Sequence, residues 1–376
     1  MRKYETAAEV ALKGSQGSNE NKSPNIIEKR ADMPIIVGPV QDWIVWSVAF
    51  LADEKQVVAG IDDGKIWYWR MDDGTKVGTP IDAGADVFAI AVSEDGKWIV
   101  AGMENGNVSV WDAKSRGKMI EFKAHCGWVN GVDFSPGAAK FATGSDGGTV
   151  RVWSLSTGEQ LLSLHQPTVK AVKFAPNGSL LAAGSVQWYM SGSDTLRIYN
   201  SLDGHLVVEF KIRAESLAWL SDSMKLFALS SGGSIHCFDA PSRTTLSMWA
   251  VHSGNTPRCV SLACNGTFIA ACADSSVSFW DTATHQQIGT VIHHPGNAYS
   301  LAISVDYNLV IGGKGNVSFW NLCDILSPPY VNDEFVSESI KSSAPSFIST
   351  QTTSSYGTEN VQHPVQNDCR RICKFR

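Results

Sequence analysis

Between Lys118 and Trp153 apolar and polar residues alternate in four short runs: MIEFK, WVNGVDF, KFATGS and TVRVW. Turn-forming residues separate them: His-Cys-Gly, Ser-Pro-Gly and Asp-Gly-Gly. Period-two alternation over this length, broken by Gly-rich pairs, predicts antiparallel strands joined by tight hairpins. A single sheet of this kind cannot bury its own faces, so the pattern should recur. It recurs about seven times. A β-branched strand closed by an aromatic ends at Trp69, Trp111, Trp153, Tyr199, Phe238, Trp280 and Trp320, a period close to forty residues. An apolar triplet with the spacing V-x-x-V-x-F stays in phase upstream of each. It reads Val45-Val48-Phe50, Val87-Ile90-Val92, Val129-Val132-Phe134, Val169-Val172-Phe174 and Ala298-Leu301-Ile303, with weaker copies Ala214-Leu217-Trp219 and Pro257-Val260-Leu262.

Composition narrows the class of protein. The 376 residues are 43% hydrophobic with 13 Trp, enough for a large core. A net charge of -6 argues against a nucleic-acid footprint, which needs clustered Lys and Arg. No apolar run reaches the ~18 residues of a membrane helix. The first residues show no apolar signal-peptide core, and the eight Cys form no framework. Reduced thiols and a cytoplasmic or nuclear location are expected. The Asn-x-Ser/Thr triplets at Asn107, Asn177, Asn265 and Asn316 are read as coincidences of a Ser/Thr/Gly-rich chain.

With these markers the chain resembles the WD-repeat β-propeller family. The resemblance implies an all-β fold of seven radial four-stranded blades over residues 34–326, strands a to d running outward from a central channel. Its degenerate repeats resemble stand-alone fungal-type members, and also sensor propellers joined to nucleotide-binding signalling domains that this chain lacks. Residues 1–33 and 327–376 are polar, without periodicity, and expected to be disordered tails. Closure of the ring is expected from PIIVG at 34–38 acting as outer strand of the last blade, with VNDEFV at 331–336 as the alternative. The family's Asp-His-Ser-Trp tetrad is present only in remnants: His125, Ser145 and Trp153 in blade 3, with Gly147 at the Asp position, and Asp274 and Trp280 in blade 6, with Cys272 for Ser and His252 out of register. Blade 1 keeps Asp63 and Trp69 but has Gln41 for His. A moderately stable, uneven ring is expected.

No catalytic motif emerges. HExxH, G-x-S-x-G and the P-loop are absent. His125, His165 and His294 sit at the family's structural His position, and the adjacent His293 and His294 would point opposite ways on a strand. No metal, cofactor or catalytic residue is assigned. Cys369 and Cys373 in the basic end CRRICKFR lack a second ligand pair. Carboxylates cluster from Asp53 to Glu104 mostly in turns, either a solvated surface or a patch for a basic partner on blades 1 and 2. Trp188 and Tyr189, in an enlarged blade-4 turn, either pack on the rim or contact a partner.

The residues flanking the first apolar position of each a strand should line the channel entrance on the upper face, where the d–a and b–c connections emerge. They are Trp46, Phe88, Trp128, Asn130, Lys170, Arg213, Glu215, Arg258 and Tyr299. Tyr299, Trp46, Phe88 and Trp128 would form an aromatic arc over blades 7, 1, 2 and 3; Lys170, Arg213, Glu215 and Arg258 a charged arc over blades 4 to 6. The arc is expected to take a peptide or protein partner, unless its rings lie flat as local core. The function expected is a non-enzymatic interaction scaffold, a monomeric propeller within a larger complex, with no nucleic acid or membrane partner. A substrate receptor of a cullin-type ubiquitin ligase is the alternative, weakened because Trp111-Asp112 and Trp280-Asp281 are not followed by the Arg such receptors carry. A propeller hydrolase is the second alternative.

Overall fold

The computed structural model describes residues 34–37, 43–186, 194–251 and 260–331. Each repeat forms one four-stranded antiparallel sheet, and there are seven. Blade 3 is representative, with strands Val129–Phe134, Lys140–Ser145, Thr149–Ser154 and Gln160–His165 from inside out. Every residue of its second strand after Lys140 is buried, because neighbouring blades cover both faces of the sheet. The outermost strand, Gln160–His165, instead alternates exposed and partly buried positions, since one side meets solvent. The turn before Thr149 needs a left-handed residue, and Gly148 supplies it at φ 82.

Inner strands pack side by side around the channel from Val45–Phe50 through Ala298–Ile303, and the last lies against the first. The seam is closed by the chain's beginning. Ile35–Val37 pairs antiparallel with the third strand of blade 7, Ile35 opposite Phe319 and Val37 opposite Val317. Of the alternative donor, only Val331 lies within the described residues. It is buried against blades 6 and 7 with Leu322 and Leu326. Leu322–Asp324 forms a 3-10 turn below blade 7, and Tyr330 hydrogen-bonds the Asp281 carboxylate. Tyr330 and Val331, assigned to the tail from the polarity of their surroundings, therefore pack on the propeller, while 327–329 stay exposed: an apolar floor at the seam offers burial to Leu326 and Val331. The rest of both tails lies outside the described residues.

Blades are held together by two recurrent contacts. The first is a close approach of backbone: a Cβ on Gly60 would stand 2.5 Å from Val87 Cγ1 of the next blade, and one on Gly102 the same from Val129 Cγ1. At five junctions glycine lets the first apolar residue of the inner strand nest against the preceding sheet, Gly144, Gly184 and Gly312 doing so for Val169, Ala214 and Val45. The second is a serine latch. The backbone N–H of Ile90 donates to Ser47 Oγ at 3.0 Å, that of Leu262 to Ser216 at 3.0 Å, that of Leu301 to Ser261 at 3.1 Å and that of Val48 to Ser300 at 3.1 Å. Four blade junctions are thus tied across the channel wall, that between blades 7 and 1 among them. Between blades 3 and 4 a carboxylate does the same work, Asp133 accepting from the Phe174 N–H at 2.8 Å and from Lys173 at 2.7 Å.

Candidate functional site

The upper channel mouth is built on one backbone device. In blade 1 Val45 pairs with Ile61, then Ser47 with Gly60, so Trp46 has no partner opposite it. The same slip leaves out Phe88, Asn130, Lys170, Glu215 and Tyr299. A bulge sets two residues against one, bends the strand and re-aims the extra side chain. All six are residues picked from the sequence for the upper face. The signal was in the triplet spacing. Val45 and Val48 are both buried although three apart, which strict alternation forbids and one inserted residue restores. Blade 6 is described from Val260 onward, so Arg258 lies outside the described residues, as do Trp188, Tyr189, His252 and Gln41.

The four aromatic side chains touch in series. Tyr299 and Trp46 have ring centroids 5.0 Å apart at 65°, Trp46 and Phe88 5.1 Å apart at 78°, and Phe88 and Trp128 5.3 Å apart at 59°. Edge-to-face pairs of this kind add about 0.5–1.5 kcal/mol each beyond burial. Trp128 remains 47% exposed, while Trp46, Phe88 and Tyr299 are half-buried. The rings are therefore neither loose nor internal: edges brace one another and the remaining surface faces the mouth. Trp46 Nε1 is shielded and has no hydrogen-bond partner among the described residues.

The charged half is organised differently. Asp146 pairs with Lys170 at 3.3 Å and accepts from Asn130 Nδ2 at 2.6 Å; Asn130 also donates to the Val169 carbonyl at 3.0 Å. Arg213 pairs with Asp194 at 3.3 Å. Burial raises the Glu215 carboxyl, against the opposing pull of Lys170 and Arg213. The two described basic groups of this arc, Lys170 and Arg213, are answered by carboxylates from their own chain. Near the aromatic arc the carboxylates have less to answer them. Burial raises the Asp86 carboxyl, and Glu104, Asp62 and Asp63 push it the same way. Burial likewise raises Asp62, against the pull of its hydrogen bond from the Ile44 N–H. Asp63 accepts from Trp67 Nε1 at 3.2 Å and pairs with Lys65 at 3.6 Å.

Below blade 3's part of the mouth lies the tetrad remnant, and it is wired through a different hydroxyl. Thr143 Oγ1 accepts from Trp153 Nε1 at 2.9 Å and meets His125 Nε2 at 2.7 Å, while His125 Nδ1 meets Thr149 Oγ1 at 2.9 Å. Ser145, the residue chosen from sequence, instead accepts from the Gly147 N–H at 3.0 Å. Ser145 is opposite Thr149 at the strand end, out of reach of Trp153, whereas Thr143 sits mid-strand. The His125 imidazole thus links the Thr143 and Thr149 hydroxyls through its two ring nitrogens. Burial, helped by Arg151, pushes its pKa down to about 4. In blade 4 the equivalent place is filled by buried Gln166, whose Oε1 accepts from the Tyr199 hydroxyl at 3.0 Å; His165 is exposed one position earlier. In blade 6 Trp280 Nε1 donates to Ser278 at 2.8 Å, and Asp274 takes a left-handed turn conformation at φ 54. Cys272 there donates its thiol to the Ala298 carbonyl.

The lower end of the channel is a cavity of about 410 Å³ lined by Phe50, Val92, Phe174, Trp219 and Ile303, with the Asp133–Lys173 pair at its wall. Among the described residues no group of three or more His, Cys, Asp or Glu is placed to hold a metal ion, and no helix is long and apolar enough to cross a membrane.

A closed ring of seven four-stranded blades, with its ring of bulges at one mouth, defines a β-propeller. Residues 75–112, 117–154, 158–200 and 243–281 match the family described as "WD domain, G-beta repeat". WD repeats are thus present in four places along the chain. The chain is 29% identical over 147 residues to "Guanine nucleotide-binding protein subunit beta" of Arabidopsis thaliana, covering 37% of this chain and 36% of that protein. It is 29% identical over 211 residues to "Apoptotic protease-activating factor 1" of Homo sapiens, 42% of this chain and 17% of that protein. "Small ribosomal subunit protein RACK1z" of Oryza sativa subsp. japonica is 27% identical over 127 residues, 31% of this chain and 36% of that protein. The matched region spans little more than a third of these relatives at most.

Proposed function

We propose that the protein is a non-enzymatic interaction scaffold that docks a peptide or protein segment on its upper face, over blades 7, 1, 2 and 3. The observation that carries this reading is the unbroken series of ring contacts from Tyr299 to Trp128 at a concave mouth. Apolar surface kept at an open mouth marks a site of contact, and Trp and Tyr dominate the energetics of such contacts. The likeness to a G-protein beta subunit and to a ribosomal subunit protein, both named as parts of assemblies, supports a protein partner. Among the described residues the candidates for catalysis are otherwise engaged: the buried His125 is spent on a hydroxyl network, and the channel's Asp133 is held by Lys173 and a backbone N–H.

The test compares partner capture by wild-type protein and by the Trp46→Ala plus Phe88→Ala and Trp128→Ala variants. Each should lose its captured partner, the double variant by at least about thirtyfold in affinity, corresponding to ~2 kcal/mol. Trp128→Ala, at an exposed position, should keep its melting temperature. Normal capture by a folded Trp128→Ala variant and by the double variant would defeat the reading.

A further inference from the structure

The acidic residues beside the arc are not scattered around it; hydrogen bonds, mostly of their backbone, tie them to the strands that carry it. The Asp62 N–H donates to the Ile44 carbonyl at 3.2 Å and Asp62 Oδ1 accepts from the Ile44 N–H at 2.7 Å, two residues before Trp46. The Glu104 N–H donates to the Asp86 carbonyl at 2.9 Å, two residues before Phe88. Each of the two central rings thus has a pair of acidic residues held at the root of its own bulge: Asp62 and Asp63 for Trp46, Asp86 and Glu104 for Phe88. Lys65 is the one cation paired with any of the four among the described residues, and it contacts Asp63. Blades 4 and 5 show the opposite arrangement, with Lys170 on Asp146 and Arg213 on Asp194. Among the described residues, the basic groups of one half of the mouth are answered internally. The other half gathers like charge beside half-buried aromatic rings, and electrostatic complementarity there favours a cation from outside.

We propose that the segment docked on the aromatic arc belongs to a partner protein and presents an arginine or lysine flanked by apolar residues, its cation seated between the Trp46 and Phe88 rings and the Asp62, Asp86 and Glu104 carboxylates. This rests on the docking function proposed above and names its ligand class. A cation gains on both sides of such a seat: the ring quadrupole attracts it from one side, and the carboxylates from the other. An acidic segment would meet repulsion, and a purely apolar one would leave the carboxylates to be desolvated without compensation.

The probes are three capped pentapeptides, Gly-Leu-Arg-Leu-Gly, Gly-Leu-Gln-Leu-Gly and Gly-Leu-Glu-Leu-Gly, titrated into the full-length chain while the indole N–H resonances of Trp46 and Trp128 are followed by NMR. The Arg peptide should move both indoles and bind at least tenfold more tightly than the Gln peptide in 50 mM salt, with the Glu peptide weakest. The advantage should shrink in 500 mM salt. In the Asp86→Asn plus Glu104→Gln variant it should fall below threefold, the Gln peptide's own affinity staying as it was. Equal binding of the Arg and Gln peptides at the arc would overturn the proposal while leaving the docking function intact. So would an Arg peptide that moves neither indole, in which case the capture test above decides separately on docking. Binding that appears only after Arg370, Arg371 and Lys374 are changed to Gln would assign the seat to the chain's own basic end, and would equally overturn a partner as occupant.

Discussion

Blades 1 and 2 and blades 4 and 5 present the same backbone bulge at the same height of the same channel, yet use it for opposite purposes. At Trp46 and Phe88 the bulge sends an aromatic ring into a series of ring contacts that continues to Trp128. At Lys170 and Glu215 it sends a charged group into ion pairs and hydrogen bonds that the chain satisfies itself. The lesson is that the bulge sets where a side chain goes, and the side chain's internal partners set what is left for a ligand. Lys170 looks as exposed to a partner in sequence as Trp46 does. In three dimensions Asp146 already holds it.

Four measurements would break or sharpen this contrast. The largest effect is expected at the seam, which the aromatic series crosses between Tyr299 and Trp46. Deleting residues 1–40 removes the Ile35–Val37 strand and bares the outer edge of blade 7's third strand, costing several kcal/mol or causing aggregation. A deletion variant as stable in urea as the parent would refute the closure.

Blade 3, where the two halves meet, should show a pH signature. The His125 pKa of about 4 lies below the ~6.5 of an unfolded histidine, so between these values the unfolded chain binds the extra proton. The stability contributed by neutral His125 is complete above about pH 6.5 and declines as pH falls toward 4, by up to about 3 kcal/mol. His125→Gln should flatten that part of the stability profile relative to wild type; unchanged slopes would rule the network out as its source. Thr143→Val, which leaves both Trp153 Nε1 and His125 Nε2 without their hydroxyl, should cost about 2 kcal/mol in denaturant melts, against a few tenths for Ser145→Ala. Equal costs at the two positions would restore Ser145 as the bridging residue.

The smallest effect is expected in the charged arc. Lys170→Met removes a partly exposed ion pair but leaves Asp146 its hydrogen bond from Asn130, so no more than about 1 kcal/mol of stability should go. Partner affinity should change less than threefold, where Trp128→Ala abolishes capture. A larger loss of affinity from Lys170→Met than from Trp128→Ala would invert the contrast between the two halves.

Much of this molecule was legible from its residues in order, for a physical reason. Strand and turn signals are local: alternation, a closing aromatic and Asp-Gly or Gly-Gly pairs each act within a few residues, and a forty-residue period needs only repetition. The V-x-x-V spacing likewise encodes the bulge, hence the identity of the upper-face residues down to Trp46, Phe88 and Tyr299. What chain order could not settle are choices between neighbours in space. Whether Thr143 or Ser145 bridges His125 to Trp153 depends on which hydroxyl faces the indole across a strand pair. Whether His165 or Gln166 enters blade 4 depends on where its outer strand ends. Whether Lys170 is offered to a partner depends on an aspartate twenty-four residues earlier in the chain. Side-chain pattern determined the blades and aimed the bulges, because both obey the geometry of single strands. Only tertiary structure decided which charges are already paired, because electrostatic compensation acts through distance in space, and folding brings together groups that sequence keeps apart.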